Sequence, residues 1–197
     1  MNSKDITGIV LAGGRSKRMG EDKSLMELNG KTLIEYAIDV LKTLCSCVII
    51  SSNHEVYDFT GCQVWPDEIM NQAPIIGIYS SLKRSETEIN IILSCDMPLI
   101  STGLLKFLLL GSNDFDITVP IHENGMIEPL CGIYKKSAIG ILKKCIDEGD
   151  FSLKDSIHQA SHAFVSVDSQ TEFADQNLFR NINTPADFED ISKLTIG

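Results

Sequence analysis

Apolar residues along the chain fall into two arrangements. Short unbroken runs rich in β-branched residues, such as "ITGIVLA" at 6–12, end in turn residues, as expected of strands buried on both faces of a parallel sheet. Between them lie longer stretches with apolar positions three and four apart. In 32–44, Leu33, Ile34, Ala37, Ile38, Leu41 and Leu44 form one stripe, which predicts an amphipathic helix. The alternation continues with strands at 47–52 and 62–65, a helix near 76–84, a strand at 89–94, a helix near 102–110, and strands at 116–120 and 129–134. Helices near 136–147 and 152–160, a strand at 163–167 and a last helix from about 185 complete it. The pattern predicts an α/β fold with a mostly parallel central sheet. No low-complexity linker or internal repeat interrupts it, so one domain spanning 1–197 is expected.

Composition narrows the partners. With 43% hydrophobic residues the chain has material for a substantial core. Its formal net charge of −10 disfavours nucleic acid and anionic membranes, so an anionic ligand must meet a local basic pocket. The first residues do not read as a signal peptide, and no apolar run approaches the roughly 20 residues that span a bilayer, so a cytoplasmic location is expected. The six cysteines contain no C-x-x-C pair and sit mostly in apolar segments, where buried, reduced thiols are expected. Trp65 and the phenylalanines read as core or partial core. His158 and His162 are spaced to share a helix face, without the further ligands a zinc site needs.

The basic pocket has one obvious candidate. Four of the 17 basic residues, Arg15, Lys17, Arg18 and Lys23, fall within nine positions directly behind the first strand and its Gly13-Gly14 corner. Two familiar phosphate motifs fail here: a dinucleotide fingerprint would need glycine at Arg15 or Ser16, and a P-loop ending at Gly30-Lys31-Thr32 would need it at Leu25. The "NGKT" segment is therefore a turn entering a helix. What remains is a glycine corner that lets backbone approach a phosphate or base, followed by Arg15, Arg18 and Lys23 as charge-assisted donors to a triphosphate. Taken alone, the same segment also reads as a solvated basic loop. In an open α/β sheet ligands bind at the carboxyl ends of strands, and three polar ends, Leu11 to Gly14, Ser51 to Asn53 and Ser94 to Asp96, are expected side by side.

"LAGGRSKRMGEDK" resembles the L-A-G-G-x-S-x-R-M-G-x-D-K signature of molybdenum cofactor guanylyltransferases, within the wider nucleotidyltransferase group. The resemblance continues in order through "LNGKTLIEYAI", "WPDE", "PIIGIYSSL", "SCDMPLIS", "IEPLCGIYKKS" and "NINTPADFE", from about Ile6 to Glu189. It implies a Rossmann-like three-layer sandwich of the nucleotide-diphospho-sugar transferase type. The implied reaction joins GMP from GTP to the terminal phosphate of molybdenum-molybdopterin and releases pyrophosphate. A phosphate monoester is already ionised at pH 7, since its second pKa is about 6, so the task wants cations rather than a general base.

By the same resemblance Asp96 holds magnesium, which takes only one or two protein carboxylates, and Pro98 fixes the turn behind it. Lys23 grips the phosphates with Arg18 in support, while Arg15 belongs to the nucleotide site or to a solvated flank shared with Lys17. Leu11, Ala12 and Gly13 present backbone groups to the base, and Gly14, the second glycine of L-A-G-G, favours GTP over the CTP of related L-A-A-G enzymes. Asp67 contacts ribose or base, or is an ordinary surface carboxylate. Two departures stand out: Ser51-Ser52-Asn53 replaces N-x-N, so a Ser51 hydroxyl stands where an amide is usual, and Ala73-Pro74-Ile75-Ile76-Gly77 keeps Gly77 but loses the first glycine. Asn181 and Asn183 are read as contacts to the pterin or acceptor phosphate, or as turn residues before a helix. Alternatives are CTP on molybdopterin, an NTP on a sugar or alcohol phosphate, or a non-catalytic GTP-binding module. A second cofactor-biosynthesis protein or an acceptor molybdoenzyme is the protein partner that the resemblance brings into view.

Overall fold

The computed structural model describes residues 5–12, 22–69, 73–168, 171 and 177–194. The first strand, β1 (Ile6–Leu11), is followed by a single 3-10 turn (Lys23–Leu25), two short strands β2 (Glu27–Leu28) and β3 (Lys31–Thr32), and helix α1 (Leu33–Lys42). Then come β4 (Cys47–Ser51), β5 (Gln63–Trp65), α2 (Pro74–Arg84), β6 (Ile89–Ser94), α3 (Thr102–Gly111), β7 (Ile117–His122) and β8 (Cys131–Lys135). The chain ends through α4 (Ile139–Asp147), α5 (Leu153–Gln159), β9 (His162–Val167) and α6 (Pro185–Leu194).

Seven strands form the main sheet in the order β5-β4-β1-β6-β8-β7-β9. Only β8 runs against its neighbours, being antiparallel to both β6 and β7, so the sheet is mostly parallel. Helices cover both faces in a three-layer α/β sandwich. One core layer packs Ile34, Ile38 and Leu41 of α1 and Leu104, Leu105 and Leu108 of α3 against Val10, Ile50, Ile91 and Ile133. The other packs Ile75, Ile78 and Leu82 of α2 with Leu142 and Ile157 against Ile9, Ile49, Ile92 and Val119. Burial on both faces explains why these strands read as unbroken apolar runs. At Gly8, an added Cβ would lie 3.0 Å from Leu41 Cβ and 3.1 Å from Cys45 Sγ, so α1 rests almost directly on the β1 backbone.

The entry to α1 is fixed locally. Glu35 accepts from both the Thr32 amide (2.8 Å) and the Thr32 hydroxyl (2.6 Å), satisfying a donor at the helix start. The "NGKT" turn is more than an entry to that helix. Asn29 and Gly30 both have positive φ (53° and 78°), the geometry of a two-residue hairpin turn, and they join β2 to β3. Leu28 then packs with Leu33, Ile182 and Ile191, so α6 closes over the hairpin and the start of α1.

Several expectations are corrected. Cys47 is exposed at the start of β4, whereas Cys95, Cys131 and Cys145 are buried, and all six thiols are free. Phe59 and Phe151 are exposed rather than core. His158 lies on α5 and His162 opens β9, so they do not share a helix, although their rings meet at 5.5 Å. β7 continues past Pro120 to His122 because its ladder to β8 ends at Thr118, and beyond that point the missing N–H costs the β8 pairing nothing. The segment expected as a helix from 136 begins with one 3-10 turn, Lys136–Ala138. Among the described residues no helix is long and apolar enough to cross a membrane.

Candidate functional site

From β1 the chain passes to β4 and β5 on one side of the sheet, and then to β6 on the other. The strand order therefore reverses between β1 and β6, and the crevice at their carboxyl ends is where an open α/β sheet binds ligands. The register places Leu11 beside Ser51 on one side and beside Ser94 on the other, and Ser51 beside Trp65. The three polar strand ends singled out in the sequence are thus neighbours, with Pro66-Asp67 one strand further out.

Lys23 and Asp96, 73 residues apart, meet in this crevice. Asp96 follows β6, and its Oδ1 accepts from Ser94 Oγ at 2.6 Å, which fixes the carboxylate plane. Its Oδ2 accepts from Lys23 Nζ at 2.9 Å, and the same ammonium donates to Asn183 Oδ1 at 2.9 Å. The Ile182 amide donates to Asp96 O at 2.9 Å, tying the segment before α6 to the Asp96 turn. The side chains of Lys23 and Asp96 remain 13% and 22% exposed, enough for a ligand to reach both charged groups. Asp187 caps this segment by accepting from the amides of Asn183 and Thr184, and these bonds hold its carboxyl below the usual value.

A second group lies beyond β4. Asn53 Nδ2 donates to Asp67 Oδ2 at 2.8 Å while the Asp67 amide donates back to Asn53 Oδ1 at 2.9 Å. Burial pushes the Asp67 carboxyl above its ordinary value, and donation from Asn53 offsets part of that rise. Gly77, in the first turn of α2, faces both strands: a Cβ there would lie 2.9 Å from Ser51 Oγ and 3.4 Å from Asp67 Oδ1. Alanine would gain about 1 kcal/mol in helix propensity, but overpacking costs about 1–3 kcal/mol. Because Ser51 is 4% exposed and has little room to move away, Gly77→Ala is expected to lower stability. Urea unfolding measures it, and a variant more stable than the parent would contradict the close approach.

The remaining sequence candidates divide. Leu11 and Ala12 stand at the end of β1, where the Leu11 carbonyl accepts from the Cys95 amide (3.3 Å) and the Ala12 carbonyl lies 3.2 Å from the Tyr57 hydroxyl. Asn181 does not join Lys23; its Nδ2 donates to Phe179 O at 3.5 Å. Gly13, Gly14, Arg15 and Arg18 lie outside the described residues. Three groups had no assigned role in the sequence reading. Asp22 accepts from the Ser24 amide (3.1 Å) and hydroxyl (2.6 Å), capping the turn that carries Lys23. Tyr57, wholly buried, reaches Asp22 Oδ2 at 3.0 Å. Further along the same rim, His122 Nε2 lies 2.9 Å from Glu128 Oε1, and its ring packs on Phe179 at 4.5 Å. Asp22 sat inside the quoted signature, whereas Tyr57 and His122 carried no signal of spacing.

The donor set suits a hard cation. Asp96 offers carboxylate oxygens, and among the described residues no group of three or more His, Cys, Asp and Glu side chains gathers to hold a metal. A single carboxylate is a donor set that magnesium accepts, since that ion takes one or two carboxylates and fills the rest of its shell with water and phosphate oxygens.

The family model of the MobA-like NTP transferase domain matches residues 8–163. A probable molybdenum cofactor guanylyltransferase of Carboxydothermus hydrogenoformans is 32% identical over 192 residues, covering 97% of each chain. Another of the same description, from a Geobacillus species, is 33% identical over 193 residues, covering 94% of this chain and 97% of its own. In fold, the crystal structure of molybdopterin-guanine dinucleotide biosynthesis protein A from Archaeoglobus fulgidus superposes with a TM-score of 0.82 at 23% identity, covering 96% of this chain and 98% of its own.

Proposed function

We propose, for a chain that belongs to the MobA-like NTP transferase family and is a nucleotidyltransferase, that the bond it makes joins GMP to molybdopterin carrying molybdenum. GTP is the donor, the terminal phosphate of the pterin is the acceptor, and the whole of residues 1–197 acts as one domain. An acceptor phosphate oxygen attacks the α-phosphorus of GTP; the bond from that phosphorus to the bridging oxygen breaks, and pyrophosphate leaves with the electron pair. No general base is needed, because the acceptor phosphate, with a second pKa of about 6, is already largely a dianion at pH 7. The work left to the protein is to hold two anions together and to neutralise charge on the departing pyrophosphate.

The observation that carries this reading is the Lys23–Asp96 pair at the reversal of strand order. Lys23 exchanges its contact to Asp96 for the phosphates, with Arg18 and Arg15 in support. Asp96 would hold magnesium, which when bound neutralises phosphate oxygens. Gly13 and Gly14 join Leu11 and Ala12 in receiving the base, and Ser51, Asn53, Asp67 and Gly77 wall the nucleoside side. Asn183, bonded to Lys23, receives the incoming phosphate, a role that the contact of Asn181 to Phe179 does not support for Asn181. The acceptor's rings lie on the opposite side of Asp96, along the rim with His122 and Phe179.

The test is pyrophosphate release with magnesium, molybdopterin and each of the four NTPs in turn. Release with GTP alone is expected. Turnover confined to CTP overturns the choice of base, and GTP binding without turnover in any mixture replaces the enzyme with a nucleotide-binding module.

A further inference from the structure

We propose that Tyr57 is a positioning residue for Lys23, its hydroxyl clasping the carboxylate of Asp22, which caps the turn that begins with Lys23. The inference rests on the proposed role of Lys23 as the cation that grips the phosphates.

Tyr57 stands in the connection from β4 to β5, immediately before the 3-10 turn Asp58–Thr60. It is 0% exposed, and its ring belongs to the core layer beneath α1 and α3. A phenylalanine would fill that volume equally well, so packing accounts for the ring and leaves the hydroxyl unexplained. The hydroxyl oxygen lies 3.0 Å from Asp22 Oδ2, 3.0 Å from Ser24 Oγ and 3.2 Å from Ala12 O. These partners come from two places in the sequence, Ala12 and the Asp22–Ser24 turn, which flank the Gly-Gly basic segment on either side.

Proton supply decides what the clasp does. Ser24 Oγ donates its hydrogen to Asp22 Oδ1 at 2.6 Å, so Asp22 Oδ2 and Ala12 O have the Tyr57 hydrogen as their shared donor within this group. The ionised carboxylate makes the stronger claim on it, because a charge-assisted hydrogen bond is roughly twice as strong as a neutral one. Burial pushes the Tyr57 hydroxyl up to about 12, which keeps it a donor throughout the neutral range. Both Asp22 oxygens are therefore held, one by Ser24 and one by Tyr57. Asp22 caps the turn whose first residue is Lys23, so its orientation sets where the lysine side chain departs toward Asp96.

Tyr57→Phe keeps the ring and removes the clasp. A displacement of about 1 Å at a group that positions reactants can cost on the order of 10²-fold in rate. The expected result is a kcat for pyrophosphate release lowered about 10- to 100-fold, with the dissociation constant for GTP changed less than about threefold. In the Lys23→Ala background the same substitution should change the residual kcat by less than about twofold, because the group it positions is gone. Exchange of the Ser24 and Leu25 amide hydrogens should quicken about tenfold relative to α1. Equal losses of kcat with and without Lys23, or an unchanged kcat in Tyr57→Phe beside an active wild type, would overturn the clasp. If the wild type releases no pyrophosphate from any of the four NTPs, it is the functional reading that fails, and unchanged Ser24 exchange in Tyr57→Phe then overturns the clasp separately.

Discussion

Asp96→Ala is expected to lower turnover by about 10³-fold while GTP affinity falls less than about tenfold. The carboxylate is held by Ser94 and Lys23 at the reversal of strand order. In the proposed reaction, removing it takes away stabilisation that grows as the α-phosphorus bond breaks, while the proposed base and ribose contacts on the far side of β1 remain. A group acting in the transition state lowers kcat more than it lowers binding. Steady-state pyrophosphate release and calorimetric titration with GTP separate the two quantities. Equal loss in both would make Asp96 a binding residue only. Asp96→Asn is the companion: it keeps the shape and an acceptor for Ser94 but not the charge, and it should lie close to Asp96→Ala in rate.

The second large effect concerns stability. Leu41→Ala is expected to destabilise the protein by about 2–5 kcal/mol, the range for deleting a buried leucine side chain. Leu41 is 0% exposed, and it packs where α1 comes closest to β1 over Gly8. The helix has little room to settle further onto the strand to fill the void, because Leu41 Cβ, which alanine keeps, already stands close to Gly8, so the upper half of the range applies. For a domain of this size each kcal/mol shifts the midpoint by about 2–4 °C, which puts the drop in Tm at roughly 10 °C or more. Urea unfolding with an unchanged slope measures it, and a loss below about 1 kcal/mol would show that the site collapses after all.

Much of this architecture was legible because parallel strands buried on both faces cannot hide their composition. The runs at 6–12, 47–52 and 89–94 gave the three strands whose ends form the crevice, and the i, i+3, i+4 stripe gave α1 nearly to its ends. Lys23 and Asp96 were each readable as candidates, but their meeting across 73 positions is a product of strand order, which no local pattern encodes. The misreadings share a cause. Cys47 and Phe59 are apolar residues at the margins of elements, where composition predicts burial and the chain's geometry turns them outward. Strands two residues long, such as β2 and β3, are too short to show alternation, so "NGKT" read as a turn and nothing more. Tyr57 is a single aromatic residue in an irregular segment. The role proposed for it comes from three polar atoms that converge on one oxygen only in the folded chain.

The reversed direction of β8 has a consequence for how such a chain can diversify. Because β8 enters the sheet at the rim where β6 and β7 finish, the stretch from 123 to 130 lies at that rim, bonded back to β7 through Ile127 and Glu128 and to Ser94 through Leu130. Growth or shrinkage of this one loop would remodel the wall on the side of His122 and leave the register of β1, β4 and β6 untouched. On the proposed reading, the acceptor side could thus change in length while the donor side keeps its strands.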